Sequence, residues 1–437
     1  MKALYNVQRR TALVRRRTLI TTLLLLVSSA LLVLLPACGS QSAGVDTTAV
    51  STSRGVMAAS IITKAMPPTQ TSCPANGQGR PAVTAPLAAG NHQVVVYVDT
   101  SSTKSMLKSY DVFTRQTATL VSVSGNAQVA LTNAQVSTDG QYVLFLSGRK
   151  LQMIRKDGQG LQTLYCYPQR TGAPSNLTNL LWSPNQQLAV FEEPPAQGGP
   201  AGPVVRLLNL SNGHVQTIAH SGEHVAIQLE AWSGNTQVYY TIYAPPMMAL
   251  YNNVYALNVM APADKNSREI ASIVGNLWDM NLTPDGQTLI LSQCADVLSG
   301  SQHQQLSPSL ITAQAANGGT LRLIYGSHVH AVVQTRLANQ TLLLVVRDST
   351  YLVGPQDGLW KMNLAGTDLT SLLHGHIVLA DIHTAWANVS RSGAFYAAVN
   401  RPLQGASEAY VGPFNGGTPI RFIATNDTIA IAGWTTR

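Results

Sequence analysis

A turn signal recurs along this chain at nearly constant spacing, and it constrains the fold more than any other feature. The stronger copies place Ser or Thr first and Asp or Asn third, directly before an apolar, β-branched run. The clearest are Ser137-Thr138-Asp139-Gly140, followed by QYVLFLS, and Thr283-Pro284-Asp285-Gly286, followed by QTLILSQ. Asp, Asn and Gly tolerate the positive φ that tight hairpins require. Six copies begin at residues 137, 183, 233, 283, 337 and 390, spaced by 46, 50, 50, 54 and 53 residues. The chain therefore consists of repeated β-rich units.

Each unit also ends in a hairpin that turns at Gly or Asn, as in RKDGQGLQTL and NLSNGHVQTI. Four short antiparallel strands in a unit of this length are typical of a β-propeller blade. The Ser-Pro-Asp-Gly turn before the second strand resembles the TolB-like propeller repeat, and the resemblance covers residues 92–434. We therefore expect an all-β fold, a β-propeller.

The two ends of the chain predict how the ring closes. Trp434 stands near the C-terminus where Trp182 and Trp232 stand directly before their turns, so TIAIAGWTTR looks like a first strand without its partners. The missing partners are VVVYVD, LKSYDVFT and TATLVSV, which begin the domain. We expect the C-terminal strand to complete this N-terminal three-stranded blade and to remove the open sheet edges. This closure gives seven blades, or six or eight if a weak copy such as that at 337 is misread.

The first forty residues carry an export signal. Six basic residues and no acid precede residue 18, and residues 18–35 are apolar or small, which is the pattern of a secretory signal peptide. The following Leu35-Pro36-Ala37-Cys38-Gly39-Ser40 resembles a bacterial lipobox, in which the Cys is acylated and becomes the new N-terminus. The alternative is an uncleaved membrane helix, for which 18 residues are at the short end.

These features predict three parts of the chain. Residues 1–37 form a lipoprotein signal peptide, residues 38–90 a lipidated Cys38 with a flexible tether and pre-propeller segment, and residues 91–437 the propeller. By resemblance, Cys38 carries a diacylglycerol, and such multiple acylation anchors a protein stably. We expect a protein of the bacterial cell membrane, lipid-anchored on its extracytoplasmic face.

The positive charge does not indicate a nucleic-acid partner. The net charge is +8, but beyond residue 17 the chain carries 22 basic and 20 acidic residues. The basic residues in excess thus belong mainly to the export signal, and no polyanion-binding face is predicted.

Loop lengths indicate which face of the propeller binds a partner. The loops between the second and third strands are the long ones, at 192–203, 244–253 and 293–308, and Tyr243, Met247, Met248 and Tyr251 lie at the second. Long loops on a rigid scaffold are frequent binding sites. We expect a protein, peptide or glycan partner on this long-loop face, unless the loops are merely tolerated insertions.

Histidines offer a weaker chemical signal. His224, His330 and His383 lie seven to nine residues before a turn, in equivalent connections between blades, and Asp381 precedes His383 at strand spacing. A ring of such side chains at the channel mouth could bind a divalent metal. The alternative is a set of scattered surface histidines, since no carboxylate framework accompanies them. The sequence thus predicts no cofactor, with a divalent metal as the alternative.

Cys38 is assigned to the lipid, which leaves Cys73, Cys166 and Cys294, an odd number for an oxidising compartment. Cys166 and Cys294 lie three blades apart, beyond the roughly 7 Å that separates the α-carbons of a bridged pair. No blade fixes the path of Cys73, and Cys166 is its nearer partner by blade order. We predict a Cys73–Cys166 disulfide and a free Cys294.

The sequence favours a recognition or scaffold protein. The competing hypothesis is a propeller enzyme, a hydrolase, lyase or lactonase with a metal or carboxylate site at the channel mouth. Asp381 and His383 are its candidate catalytic residues.

Overall fold

The computed structural model divides the chain into two units, Met1–Ile62 and Thr63–Arg437. All described residues belong to the second unit. They are 66–75, 77–125, 130–168, 176–194, 202–220, 226–243, 254–263, 266–274, 276–283, 285–294, 309–327, 330–338, 340–347, 354–380, 384 and 386–437. Throughout these ranges the ordered elements are β-strands, and no α-helix is present.

Seven four-stranded antiparallel sheets form the blades of a propeller, as the sequence predicted. In order from the central channel outwards, the first three blades contain the following strands. Blade 1 is β28 (Thr428–Thr436), β1 (Gln93–Thr100), β2 (Lys104–Asp111) and β3 (Thr117–Ser124). Blade 2 is β4 (Leu131–Val136), β5 (Tyr142–Ser147), β6 (Lys150–Arg155) and β7 (Gln162–Cys166). Blade 3 is β8 (Thr178–Trp182), β9 (Leu188–Glu193), β10 (Val204–Asn209) and β11 (Val215–His220).

The other four blades repeat this order. Blade 4 is β12 (Ala226–Ser233), β13 (Gln237–Tyr243), β14 (Val254–Ala261) and β15 (Asn266–Val274). Blade 5 is β16 (Asn276–Leu282), β17 (Thr288–Cys294), β18 (Ser309–Ala315) and β19 (Arg322–Gly326). Blade 6 is β20 (Ala331–Ala338), β21 (Thr341–Arg347), β22 (Gly358–Asn363) and β23 (Thr370–His374). Blade 7 is β24 (Ile377–Val378), β25 (Phe395–Asn400), β26 (Ser407–Pro413) and β27 (Ile420–Thr425).

The recurring turn has a clear physical basis in blade 2. The Ser137 hydroxyl accepts hydrogen bonds of 3.0 Å from the backbone N–H groups of Gln141 and Tyr142, and it donates to Asp139 at 2.6 Å. Gly140 has φ +71° and packs against the Arg391 side chain, which a Cβ atom would approach to 2.9 Å. The turn therefore needs a hydroxyl first, a carboxylate third and glycine fourth, which is the pattern seen in the sequence.

Ring closure is confirmed at blade 1. β28 pairs with β1 in antiparallel register, with Val95 opposite Trp434, and the Trp434 side chain is fully buried. Trp434 packs with Tyr97 of β1 and Val399 of blade 7 in one apolar cluster. The C-terminal strand thus provides the innermost strand of the blade that begins the domain. The weak copy at residue 337 is a true blade, which excludes the counts of six and eight.

Residues 66–90, which we call the pre-propeller segment, run along the outer edge of blade 2. Gln70 and Gly79 form bridges with Gln162 and Tyr165 of β7. Farther along, the Ala82 N–H donates to the Leu210 carbonyl at 2.7 Å. The segment then reaches blade 1, where β1 begins at Gln93. Its path is therefore set by hydrogen bonds to the ring.

Cys73 and Cys166 form a disulfide with Cα atoms 5.6 Å apart, in the pairing that the sequence predicted. The bridge joins the pre-propeller segment to the last residue of β7. The side chain of Cys294 and all of residues 1–65, including Cys38 and the predicted tether, lie outside the described residues.

Candidate functional site

The innermost strands of the blades share an irregularity that shapes the channel. Register shifts interrupt six of them, at the pairing with the second strand of their own blade: β28, β4, β8, β12, β16 and β20. A bulge of this kind re-aims side chains and is common beside functional sites. Here it places Glu230 at the shift in β12, between Leu229 and Ala231.

Polar side chains beside these bulges connect neighbouring blades. Gln135 of blade 2 accepts a hydrogen bond of 3.1 Å from the Trp182 N–H and donates to the Leu180 carbonyl, both in blade 3. Asn281 of blade 5 donates to the Thr335 hydroxyl at 2.6 Å and accepts from the Leu337 N–H at 3.2 Å, both in blade 6. The side-chain amides of Gln135 and Asn281 are thus occupied by contacts between blades, whereas the indole N–H groups of Trp182 and Trp232 are buried without a hydrogen-bond partner in the described part of the chain.

A buried ion pair reinforces the same wall. Arg336 of β20 and Asp279 of β16 are 2.5 Å apart, and each side chain is 4% exposed. Arg336 also donates to the Ala380 carbonyl, so it joins blades 5, 6 and 7. Removing one partner of such a pair leaves a buried charge uncompensated and destabilises a protein strongly.

A cavity of about 320 Å³ opens where the innermost strands end and their tight turns begin. This is the face opposite the long loops, and we call it the turn face. Five consecutive blades supply its wall, with Trp386 closing the side nearest blade 7. The principal lining residues are Gln135, Trp182, Glu230, Trp232, Asn281 and Leu337.

The tryptophans of the cavity also belong to the packing between blades. Trp182 and Trp232 are 8% and 9% exposed, and each joins an apolar cluster between two blades. Trp386 donates through its indole N–H to the Val136 carbonyl at 2.9 Å, and the Arg391 guanidinium lies 5.2 Å from its ring centre. The aromatic wall is therefore held rigidly before any ligand arrives.

Glu230 is the titratable side chain of the cavity wall. It is 3% exposed, and the Thr241 hydroxyl donates to its carboxylate at 2.9 Å. Burial raises the pKa of Glu230 to about 7; the bond from Thr241 opposes this rise, and the nearby Asp279 charge adds to it. Glu230 therefore exchanges a proton near neutral pH, which an exposed glutamate does not do.

A second buried glutamate, Glu192, lies in blade 3, at the end of the blade away from the cavity. Glu192 accepts hydrogen bonds from Asn179 at 2.8 Å and from Thr178 at 3.3 Å, and burial raises its pKa to about 7. Its neighbour Glu193 points the other way, to Tyr165 and Arg206. The two carboxylates therefore do not form a catalytic pair.

Most of the residues that the sequence singled out are outside the described part of the chain. This applies to Cys38, His224, Asp381 and His383, and to most of the three long loops. His330 is described, and its backbone N–H donates to the Ser327 hydroxyl at 2.9 Å. Within the described ranges, no group of three or more His, Cys, Asp or Glu side chains is placed to hold a metal ion. The metal and enzyme hypotheses remain predictions.

The cavity itself was not predicted. The sequence identified Trp182 and Trp232 only as markers of their turns, and it gave no reason to single out Glu230. The one available signal was a lone acidic residue inside the apolar run AIQLEAWS.

No helix in the described ranges is long and apolar enough to cross a membrane.

No protein-family model matches the chain, and no curated protein matches it. Solved structures do resemble it. One structure, from a study of two prolyl endopeptidases, has 13% identity and a TM-score of 0.53. The match covers 80% of this chain and 50% of the endopeptidase chain. The β-propeller domain of the Trilobed protease from Pyrococcus furiosus has 9% identity, a TM-score of 0.51 and coverage of 78% of this chain and 95% of its own. TolB from Acinetobacter baumannii has 13% identity, a TM-score of 0.45 and coverage of 78% and 82%. At these identities the first two likenesses show the fold alone, and that fold is the β-propeller.

Proposed function

We propose that this protein is a bacterial lipoprotein that displays a β-propeller recognition domain outside the cytoplasm. The anchor is the acylated Cys38, and the propeller binds a protein, peptide or glycan. The Cys73–Cys166 disulfide supports the location, because disulfides persist in oxidising compartments and are rare in the cytoplasm. The basic and apolar N-terminal residues support the export route.

The cavity on the turn face is the observation that carries the binding role. Its volume of about 320 Å³ is at the lower end for ligand pockets, so it accepts a protruding part of a partner. Since the wall amides of Gln135 and Asn281 are occupied between blades, apolar contact supplies most of the attraction. Glu230 adds one group that can donate or accept a proton.

Two faces of the ring are candidates for the surface that binds the partner. The long-loop face, with Tyr243, Met247, Met248 and Tyr251, stays the prediction from the sequence. The turn face is supported by the described cavity. Blocking one face while leaving the other intact separates them.

A bulky residue at the rim of the cavity tests this proposal. Thr138 lines the cavity, so Thr138→Trp should fill its mouth. Ser392 is an exposed residue of the blade 7 turn that does not line the cavity, so Ser392→Trp is the matched control. The detergent-extracted full chain and both variants are applied to peptide and glycan arrays.

We expect the native protein to bind a defined subset of the array, and Thr138→Trp alone to lose that binding. Equal binding by all three proteins would move recognition away from the cavity. Absence of binding by the native protein to both arrays would contradict the proposed function for peptides and glycans.

A further inference from the structure

Four charged or titratable residues meet at the end of blades 6 and 7 that belongs to the long-loop face. Arg347 is the last residue of β21, and the pairing of Val346 with Gly358 places Asp357 opposite it. His376 and Arg401 flank the β24–β25 pair, in which Ile377 lies opposite Asn400. Strand register brings each blade's charges to this end, and the bond from Arg347 to the Ile377 carbonyl brings the two blades' charges together. The cavity of the turn face lies at the other end of the strands.

Both arginines reach across a boundary between blades. Arg347 donates through Nη2 to the Ile377 carbonyl of blade 7 at 3.1 Å, and Arg401 donates through Nη2 to the Ile429 carbonyl of blade 1 at 2.9 Å. The Nε–H group of each is buried without a hydrogen-bond partner. Neither guanidinium forms an ion pair with a carboxylate in the described ranges. Buried donors of this kind are costly and call for an explanation.

His376 lies close enough to both arginines to be affected by their charges. Its Nδ1 lies 2.9 Å from the Arg401 carbonyl, which can only accept, so Nδ1 carries the proton. Burial, and next the positive charge of Arg347, lowers the pKa of His376. Among the described residues, Asp357 supplies one negative charge against the two of the arginines, so these four residues together carry a net positive charge while His376 is neutral.

We propose that Arg347 and Arg401 form a binding site for an oxyanion, that is, a phosphate or carboxylate group. A planar guanidinium presents its N–H donors in a fork that matches two oxygens of such a group. A bound oxyanion would give the buried Nε–H groups acceptors and would neutralise the excess positive charge. This site is independent of the cavity on the turn face, and either can exist without the other.

The competing explanation is that the two arginines only fasten the blades together through their Nη2 bonds. Replacing them would then lower stability, whereas no anion would bind. Binding to the native protein therefore has to be measured directly. The full chain in detergent is titrated calorimetrically with inorganic phosphate and, separately, with acetate, against chloride at equal ionic strength.

The variants Arg347→Lys and Arg401→Lys keep the charge but remove the fork. We expect one site per chain in the native protein and a loss of affinity of about tenfold or more in each variant. Arg421→Lys is the matched control. Arg421 belongs to blade 7, as Arg401 does, but its side chain is 55% exposed and pairs with Glu408. Circular dichroism verifies that each variant folds. If one of the two variants does not fold, the other still tests the proposal by itself.

A stronger response to phosphate than to acetate would identify a phosphoryl ligand, and the reverse a carboxylate ligand. No binding of either anion beyond chloride would overturn the proposal. Equal affinity in Arg347→Lys, Arg401→Lys and Arg421→Lys would also overturn it, because the anion would then bind elsewhere.

Discussion

The Thr241 hydroxyl donates a hydrogen bond of 2.9 Å to the buried carboxylate of Glu230, and this bond joins β12 to β13 in the wall of the cavity. The pKa of Glu230 is raised from 4.5 to about 7, chiefly by burial. Between these two values the folded protein keeps a proton that the unfolded chain has released. Folding stability from this group is therefore fully present below about pH 4.5 and is lost as the pH rises through about 7.

Replacing Glu230 by Gln should remove this dependence on pH. Gln keeps an acceptor for Thr241 but carries no charge, so Glu230→Gln should match the native protein near pH 4 and exceed its stability at about pH 8 by about 3 kcal/mol. Urea unfolding at several pH values measures the difference. Glu408→Gln is the control with the opposite sign, since a bond from Tyr410 lowers the pKa of Glu408. Parallel pH profiles of the native protein and Glu230→Gln would contradict the prediction.

The disulfide should contribute measurably to stability. It closes a loop between residues 93 positions apart, and a bridge of this span constrains the unfolded chain by about 2–5 kcal/mol. Cys73→Ser should therefore lower the free energy of unfolding by that amount, and Cys294→Ser should not. Non-reducing peptide mapping should yield a linked Cys73–Cys166 peptide. Alkylation of all three thiols in the native protein would contradict the pairing.

Deleting residues 427–437 should abolish the cooperative fold. The deletion removes β28, exposes the edge of β1 and leaves the apolar partners of Trp434 uncovered. We expect insolubility or loss of a cooperative thermal transition. Deleting residues 39–54 of the predicted tether is the control and should leave the transition unchanged. A truncated protein as stable as the full chain would show that β28 does not close the ring.

The lipid anchor is tested by metabolic labelling. A radioactive fatty acid should label the protein, and Cys38→Ala should lose both the label and membrane retention. Cys294→Ser should keep both. Firm membrane association of Cys38→Ala would instead mean that residues 18–35 remain as a transmembrane anchor.

The fold was accessible from the sequence because its information is local. The turn at Ser137–Gly140 is specified by hydroxyl, carboxylate and glycine within four residues, and the apolar strand that follows specifies its own burial. The cavity has no such local signature. Gln135, Glu230 and Asn281 come from three different blades, and the bulge that places Glu230 has no recognisable mark in the run AIQLEAWS. The placement of Arg347 near Arg401 likewise depends on contacts between blades, such as the bond from Arg347 to the Ile377 carbonyl of blade 7.

The pre-propeller segment determines how a mechanical load enters the domain. A pull on the chain before residue 66 passes to β7 through the bridges of Gln70 and Gly79 and through the Cys73–Cys166 bond. Blade 2 has its own complete set of strands, so it takes the tension without opening the β28–β1 seam. The segment thus transfers a pull on its N-terminal end to blade 2, and little of that force reaches the joint that closes the ring.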